Sequence, residues 1–398
     1  MKKIAIVSAG FGGSTTSLIE AFLKQGHVVD FYYLTSRKNL TVQNETFDLP
    51  IKSKLGSIKK IKSMDYNGLR RFQVFVDSKK FEMFQIACTN IYKIDNIKSA
   101  INPFSKFILW RLGKKICNRK YNFINVIGQS NAATYISIIL KKNNQNIVHS
   151  IHEICDNHLT GDKIHDFIPL LIKNDIQLNV FSQKSADDLN RLSENLSPRY
   201  SVIPFSLFNG YQEFKNVRIK ELSNTDDFVL FFGFIQPYKG LKNLYNSVQL
   251  LKKKGFNKKV VIAGNGQDPY LNKIKNDDTF ILINRILAND EIVTLLNHCH
   301  IVVCPYLSSS QTGITQTVFN FGKPIIATKV PAFTSTIIHE KTGLLVDIND
   351  EIQLAEAISI TYNNSSLYKQ LCKEVESVKN NSDKKWAEIA NMYLEKYT

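Results

Sequence analysis

Through its second half the chain repeats one alternation. Short β-branched and aromatic runs stand at residues 228–235, 260–264, 280–283, 301–305, 325–330 and 344–348. Between most of them lie segments with helical spacing: Leu241, Leu244, Val248 and Leu251 share one helix face, as do Ile292, Leu295 and Leu296 behind the cap-like Asn289 and Asp290. Parallel neighbours need a crossover of helical length, so the alternation predicts a parallel sheet with helices on both faces. The first half shows the same pattern with longer interruptions, as strands at 4–8, 28–34, 123–128, 147–151 and 177–182 and helices at 14–25 and 132–142. The fold class that follows is α/β, as two Rossmann-like domains in series. The boundary falls near residues 202–214, where the strand-like SVIPFSL runs into polar residues.

Length agrees, because 398 residues exceed one ordinary core and fit two domains of about 150 to 200 residues each. With 43% apolar and 22% charged residues and no apolar run of the roughly 18 to 20 needed to cross a bilayer, the composition excludes a transmembrane or a disordered chain. Six cysteines without C-x-x-C spacing do not make a disulfide framework and are expected as reduced thiols. The opening MKKIAIVSAGFGG has too short an apolar run for a signal peptide, and a first strand entering a turn is the better reading. A cytoplasmic location is expected.

The net charge of +16 is uneven. Residues 50–120 hold 17 Lys and Arg against four acidic residues, so +13 of the excess lies in one stretch of the first domain. Within it, FSKFILWRLGKKICNRKYNF follows the helix-start pair Asn102 and Pro103, and Phe104, Ile108, Leu112 and Ile116 recur at four-residue spacing. Two readings stand side by side: an interfacial helix whose basic side chains meet an anionic membrane, or a core-packed helix with a solvated basic face. Lys114, Lys115, Arg119 and Lys120 are the membrane candidates. No nucleic-acid module accompanies the charge, so nucleic acid is not the expected partner.

Several motifs could carry chemistry. The loop SAGFGGS, residues 8–14, joins a strand to a helix, where backbone N–H groups can hold an anion, but Thr15 stands where a dinucleotide fingerprint has its third glycine. The segment GQSNA, residues 128–132, approximates a nucleophile elbow around Ser130, with His300 or His339 as nominal partners in a serine hydrolase. The alternative is Ser130 as a helix N-cap. His149 and His152 lie three apart without an accompanying cysteine cluster or H-E-x-x-H, and no metal site is expected. In the second domain, QPYKG (236–240) follows the first strand, Asn284 and Arg285 follow the third, and small polar residues 308–313 follow the fourth, ahead of a helix beginning near Ile314. All lie at carboxyl ends of consecutive parallel strands, where open α/β sheets bind ligands. A lysine, an arginine, helix-start amides and hydroxyls at one edge describe a site for a diphosphate.

The segments FFGFIQPYKGL, IAGNGQD, NRILANDEI, CPYLSSSQTGITQTVFNFGKPIIAT and HEKTGLLV, in that order, resemble the donor-binding domain of family 4 glycosyltransferases of the GT-B fold, the bacterial surface-polysaccharide type. In the first domain, IHEICDNH at 151–158 is similar to the H-D-x-x-x-H segment of one branch. The resemblance implies two parallel sheets facing across a cleft: an acceptor-binding domain at 1–205, a nucleotide-sugar domain at 206–380, and a C-terminal helix at 381–398 packing back on the first.

It further implies retaining, metal-independent transfer of a hexosyl or N-acetylhexosaminyl group, without a cofactor, from a UDP or GDP sugar to a lipid-linked oligosaccharide in capsule or O-antigen synthesis at the inner membrane face. Lys239 would pair with the donor diphosphate and His152 would lie near the transferred sugar. Gly12, Gly13, Gln236, Asn284, Arg285, Gln311, Thr312, Gly313, Ile314 and Thr317 would contact the donor, and His158 the acceptor. The chain departs from the family where Phe234 and Gln236 replace an arginine and where Ser309 and Thr317 replace the Glu-x7-Glu pair. These departures motivate a second reading, a GT-B protein that binds a nucleotide sugar and has lost catalysis.

Overall fold

The computed structural model describes residues 1–9, 12–36, 58–61, 81–89, 103–155, 163–193, 196–211, 214–223 and 225–398. Most of the basic stretch at 50–120, and His158 with it, lies outside them. By their contacts the residues divide into two compact units, the first taking 1–157, 161–213 and 383–398, the second 158–160 and 214–382.

In the first unit the order is β1 (Lys3–Ala9), α1 (Gly12–Lys24), β2 (Val28–Ser36), β3 (Ile58–Ile61), β4 (Phe81–Thr89), α2 (Pro103–Cys117), β5 (Phe123–Gly128), α3 (Asn131–Lys142), β6 (Ile147–Ile151), α4 (Phe167–Lys173), β7 (Gln177–Val180), α5 (Gln183–Leu192) and β8 (Tyr200–Val202). The sheet runs β3-β4-β2-β1-β5-β6-β7-β8, parallel except for β3, which pairs antiparallel with β4. Successive side chains of β1 face opposite ways. Ile4 and Ile6 join Phe22 of α1 on one side, while Ala5 and Val7 join Leu112 of α2 and Ile136 of α3 on the other.

The second unit continues with β9 (Phe228–Phe232), α6 (Leu241–Lys253), β10 (Val260–Ala263), α7 (Leu271–Lys275), β11 (Phe280–Ile283), α8 (Asn289–His298), β12 (Cys299–Cys304), α9 (Ile314–Phe319), β13 (Ile325–Thr328), α10 (Pro331–Thr334), β14 (Gly343–Val346), α11 (Glu351–Asn363) and α12 (Ser365–Asn380). Its sheet is parallel throughout in the order β11-β10-β9-β12-β13-β14. That is a doubly wound sheet whose order reverses between β9 and β12, so a crevice opens beyond the carboxyl ends of those two strands. The last helix, α13 (Ser382–Tyr397), belongs to the first unit, where Trp386 donates its Nε1–H to the carbonyl of Leu207 at 2.7 Å and Tyr393 stacks on Phe123.

Two sequence expectations are corrected in the first unit. Ser130 is the N-cap of α3: its Oγ accepts from the Ala133 amide at 3.2 Å, a capping role rather than that of a nucleophile. His300 and His339 belong to the other unit. There His300 stacks between Tyr362 and Tyr368, while His339 accepts from the Leu345 amide. Arg119 is not a surface cation. Its Nε lies 2.9 Å from Oδ2 of Asp30, a fully buried carboxylate in the middle of β2 that also accepts from the Tyr121 hydroxyl. The stripe of α2 is core, with Ile108, Leu112 and Ile116 buried, whereas Phe107 and Trp110 are half exposed and stacked on each other at 6.1 Å. Lys114 donates to Asn143 Oδ1 at 3.3 Å, and Lys115 and Lys120 are exposed.

Removing one partner of a buried ion pair leaves an uncompensated charge in a poorly polarisable interior. Arg119→Ala is therefore expected to destabilise the first unit by about 3 kcal/mol. Urea unfolding should place most of that loss there, and Asp30→Asn introduced alongside should restore part of it.

Candidate donor site and the buried histidines

The crevice of the second unit is built from the loops that leave β9 and β12. After Phe232 the chain turns through Gly233 (φ +114°), a position where a side chain would approach Lys239 Nζ at 3.4 Å and Ile314 Cδ1 at 3.6 Å. Pro237–Lys239 then forms one 3₁₀ turn closed by Gly240 in the left-handed region. This turn brings Lys239 back to the edge, where it is buried with 7% exposure. Its Nζ lies 5.0 Å from the ring centre of Tyr306 and 5.9 Å from that of Tyr238, so two aromatic faces hold the ammonium. Tyr306 is itself buried, its phenol pushed well above the usual range by desolvation. Tyr306, Tyr238 and Gly233 were not singled out in the sequence, although an F-G pair and an aromatic just past a strand end were the available signals.

The loop after β12 carries the small polar residues. Ser309 is buried and donates to the carbonyl of Gln311 at 2.9 Å; Thr312 Oγ1 accepts from the Ile314 amide at 3.3 Å; Thr317 Oγ1 donates to the Gly313 carbonyl at 3.0 Å. Gly313 is the residue at which the short α9 begins. The structure thus brings Lys239 and Ile314 around Gly233, with Thr312, Gly313 and Thr317 in the same loop and helix. Gln236 is half-buried at the start of the 3₁₀ turn.

Two expected donor contacts are used otherwise. Arg285 forms a fork with Glu291, 2.8 Å to Oε2 and 2.7 Å to Oε1, and its Nε lies 3.2 Å from Glu221. Those carboxylates hold the guanidinium firmly protonated and cancel its charge, so it is a strut between a strand end and α8 rather than a cation for a diphosphate. The Asn284 side chain ties Gly266 at both its backbone groups, at 3.2 and 3.3 Å.

In the first unit, α1 opens with Gly13, Ser14, Thr15, Thr16 and Ser17, and the Thr16 and Ser17 hydroxyls donate back to the Gly13 carbonyl. Ser14 Oγ lies 3.4 Å from Nε2 of His152, which is 8% exposed and packed against Phe181 and Phe205 at ring distances of 4.5 and 5.8 Å. Desolvation lowers its pKa to about 3, so His152 is neutral. His149 is fully buried, its Nε2–H donating to the Gly128 carbonyl and its Nδ1 accepting from Ser137, both at 2.8 Å. Burial lowers it to about 4, and it is a structural residue of the sheet. Among the described residues no three His, Cys, Asp or Glu side chains are grouped to hold a metal ion, and no helix is long and apolar enough to cross a membrane.

Residues 226–364, the body of the second unit, match the family model described as Glycosyl transferases group 1. An uncharacterized glycosyltransferase of Methanocaldococcus jannaschii is 28% identical over 220 residues, covering 52% of this chain and 60% of the relative. The capsular polysaccharide biosynthesis glycosyltransferase CapM of Staphylococcus aureus is 25% identical over 214 residues, covering 49% and 55%. The chain thus spans little more than half the length of the curated relatives it matches. Among solved structures, a sucrose-phosphate synthase of Thermosynechococcus elongatus superposes with a TM-score of 0.66 at 14% identity, over 100% of this chain and 98% of that one. Anabaena HepE in complex with UDP-glucose does so at 0.63 and 12%, over 100% of both. The likeness shows the GT-B fold of two Rossmann-like α/β domains, and the family match supports a glycosyltransferase.

The histidines have a measurable consequence. Both folded-state pKa values lie below the ordinary 6.5, so the unfolded chain binds more protons between those limits. Stability is full above pH 6.5 and is lost as pH falls toward 4, by up to about 1.4 kcal/mol per pH unit for each histidine. Urea midpoints of the first unit recorded from pH 7.5 to 4.5 should show this slope. His152→Gln should make it shallower by one proton's share; an unchanged slope would contradict the assignment.

Proposed function

We propose that the chain is a retaining glycosyltransferase of family 4. It moves a hexosyl or N-acetylhexosaminyl group from a UDP or GDP sugar to a lipid-linked saccharide in surface-polysaccharide synthesis, at the cytoplasmic face of the membrane. The observation that carries the reading is Lys239, buried over two tyrosine rings at the point where the strand order of the second sheet reverses. The names of CapM and of the HepE complex with UDP-glucose support a nucleotide-sugar donor and a capsule-type product.

In the reaction the bond between the anomeric carbon and the diphosphate oxygen breaks. The acceptor hydroxyl oxygen bonds the same carbon on the same face, and its proton passes to the departing diphosphate. Negative charge grows on that diphosphate, so the demand is for donors already in place. Lys239 and the amides of Thr312 and Gly313 supply it, in this reading without a metal, the Ile314 amide being turned to Thr312 Oγ1. The neutral imidazole of His152 offers a hydrogen bond to the sugar or acceptor rather than a charge. Gly12 and Gly13 open α1, and Gly13 is packed on Phe208, whose ring a Cβ there would meet at 2.9 Å. Phe234 and Gln236, in place of the family's arginines, throw more of the charge stabilisation onto Lys239.

Lys239→Ala should lower turnover by at least about a hundredfold, in the range of losing one strong oxyanion donor. Release of nucleoside diphosphate from a panel of UDP and GDP sugars with membrane extract as acceptor source reads this out. Activity near wild type in the variant would reject the role of Lys239. Donor binding by the wild type with no turnover on any acceptor would favour the second reading, a binder that has lost catalysis.

Membrane contact is part of the same proposal. The exposed stacked pair Phe107 and Trp110 sits on α2 beside Lys114 and Lys115, an arrangement of ring and ammonium groups suited to an anionic bilayer surface. Lys114→Gln, Lys115→Gln and Lys120→Gln together should weaken sedimentation with phosphatidylglycerol vesicles and leave donor binding unchanged. Arg119 is kept because it holds Asp30. Unaltered vesicle binding would remove the membrane clause.

A further inference from the structure

At the amino-terminal edge of the second sheet, opposite the donor crevice, one histidine meets more acceptors than a neutral ring can serve. His300, near the start of β12, has a side chain 13% exposed. Its Nδ1 lies 2.9 Å from Oδ1 of Asp227, the residue before β9, and its Nε2 lies 3.0 Å from the carbonyl oxygen of Thr361 in the last turn of α11. A neutral imidazole has only one N–H to give. Either neutral tautomer would therefore set a ring lone pair against an oxygen lone pair at hydrogen-bonding distance. The carboxylate form of Asp227 also suits its other partner, the ammonium of Lys258, 2.5 Å from Oδ2.

The surroundings of the ring suit a cation. His300 is stacked between Tyr362 and Tyr368, with ring centres 4.0 and 3.9 Å away, so two aromatic faces attract positive charge. The Thr361 carbonyl is among the last four of α11, where the helix dipole favours a cation as well. Desolvation pushes the imidazole down, and the ammonium of Lys323, bonded to the neighbouring Cys299 carbonyl at 2.7 Å, acts in the same direction. Burial pushes Tyr362, Tyr368, Cys299 and Cys372 up, so these groups stay neutral. A cavity of about 390 Å³, lined by Asp227, Lys254, Lys258, His300 and Tyr362, brings solvent to the ring.

We infer that His300 is held as an imidazolium in the folded protein and latches the junction of α11 and α12 to the sheet in a proton-dependent way. The junction is tied at the same place by Tyr368, which donates to the main-chain carbonyl of His300 at 2.7 Å, and by Tyr362, which donates to that of Asp227 at 3.0 Å. While the ring is charged it bridges Asp227 to Thr361. Once the proton leaves, one of the two bonds becomes a contact between lone pairs, and the last turn of α11 loosens. Two acceptors and two ring faces together outweigh desolvation, which places the titration of His300 above the ordinary 6.5. The stability it contributes is then complete below pH 6.5 and is lost as pH rises through the folded value, the reverse of His149 and His152. The latch is independent of the donor site, which lies at the other edge of the sheet.

The full chain is labelled with ¹⁵N-histidine, and the ring nitrogens of its eight histidines are followed from pH 5 to 9. The His300 signal is the one lost in His300→Gln. Should that variant fail to fold, it is the one that moves in Asp227→Asn, a change suited to the left-handed φ of +56° at this position. Both nitrogens of His300 are expected to carry protons at pH 6.5. Asp227→Asn should lower the titration point by about one to three pH units, the effect of losing an adjacent opposite charge, and Lys258→Gln should raise it. In urea unfolding, the second unit should lose up to about tenfold in its folding constant per pH unit above 6.5, and His300→Gln should abolish that slope. The exposed pair of His298 with Asp226, 2.6 Å apart, is common to both proteins and cancels in the comparison. A His300 that is mostly neutral at pH 6.5 overturns the inference, as does a titration point unmoved by Asp227→Asn or a slope unchanged in His300→Gln.

Discussion

The candidate site depends on backbone packed directly on backbone at the carboxyl edge of the second sheet. A Cβ placed on Gly240 would lie 1.9 Å from the Pro305 carbonyl oxygen, one on Gly264 1.9 Å from that of Gly233, and one on Gly266 1.9 Å from that of Ile235. No side chain fits at such distances, and the three φ values of +73°, +145° and +153° are ones that L-residues avoid. The loop after β9 is thereby wedged between the loops after β10 and β12, and the Leu307 amide closes the wedge on the Tyr238 carbonyl at 2.7 Å. Lys239 is the residue between Tyr238 and Gly240. Its position is set by main-chain contact, which is far stiffer than a packed side chain.

The first unit solves a different problem, that of placing polar side chains inside a sheet. Asn179 donates to the Tyr393 hydroxyl, Ser150 donates to Asn125 Oδ1, and His149 bridges Ser137 to Gly128, so these polar groups of the strands find partners within the unit. Part of that network comes from α13, which follows the whole second unit in sequence. A helix so remote in the chain thus completes the core around Phe22 and Phe123, and the first unit requires the last sixteen residues to be whole.

The strands were legible because a buried parallel strand is a continuous apolar run: 123–128, 147–151 and 280–283 are bounded in the structure as their sequences predict. β3 and β4 were not, since they lie in the charged stretch where periodicity is hidden by lysines. The lysine at the sheet edge was legible from its place after a strand and before a helix. The fate of the two arginines was not, for a plain reason. Arg119 meets an aspartate 89 positions earlier, and Arg285 meets Glu221 across 64, so what each cation does is decided by tertiary contact and not by local pattern. Ser130 was the opposite case, a cap whose meaning is carried within four residues.

Net charge therefore says little about the site. Two of the arginines that counted toward +16, Arg119 and Arg285, are bound to carboxylates, one in the middle of a sheet and one beside a helix start. Lys239 lies against aromatic rings: those of Tyr238 and Tyr306 stand 5.9 and 5.0 Å from its ammonium and steady it. An aromatic cradle is also poorly polarisable, so the field of the ammonium reaches an incoming anion with less screening than at an open surface. Held by a 3₁₀ turn on one side and by rings on the other, the charge does not have to move when negative charge develops in front of it. A lysine on a flexible surface loop would have to be ordered at that moment, and much of its stabilising effect would go into the ordering.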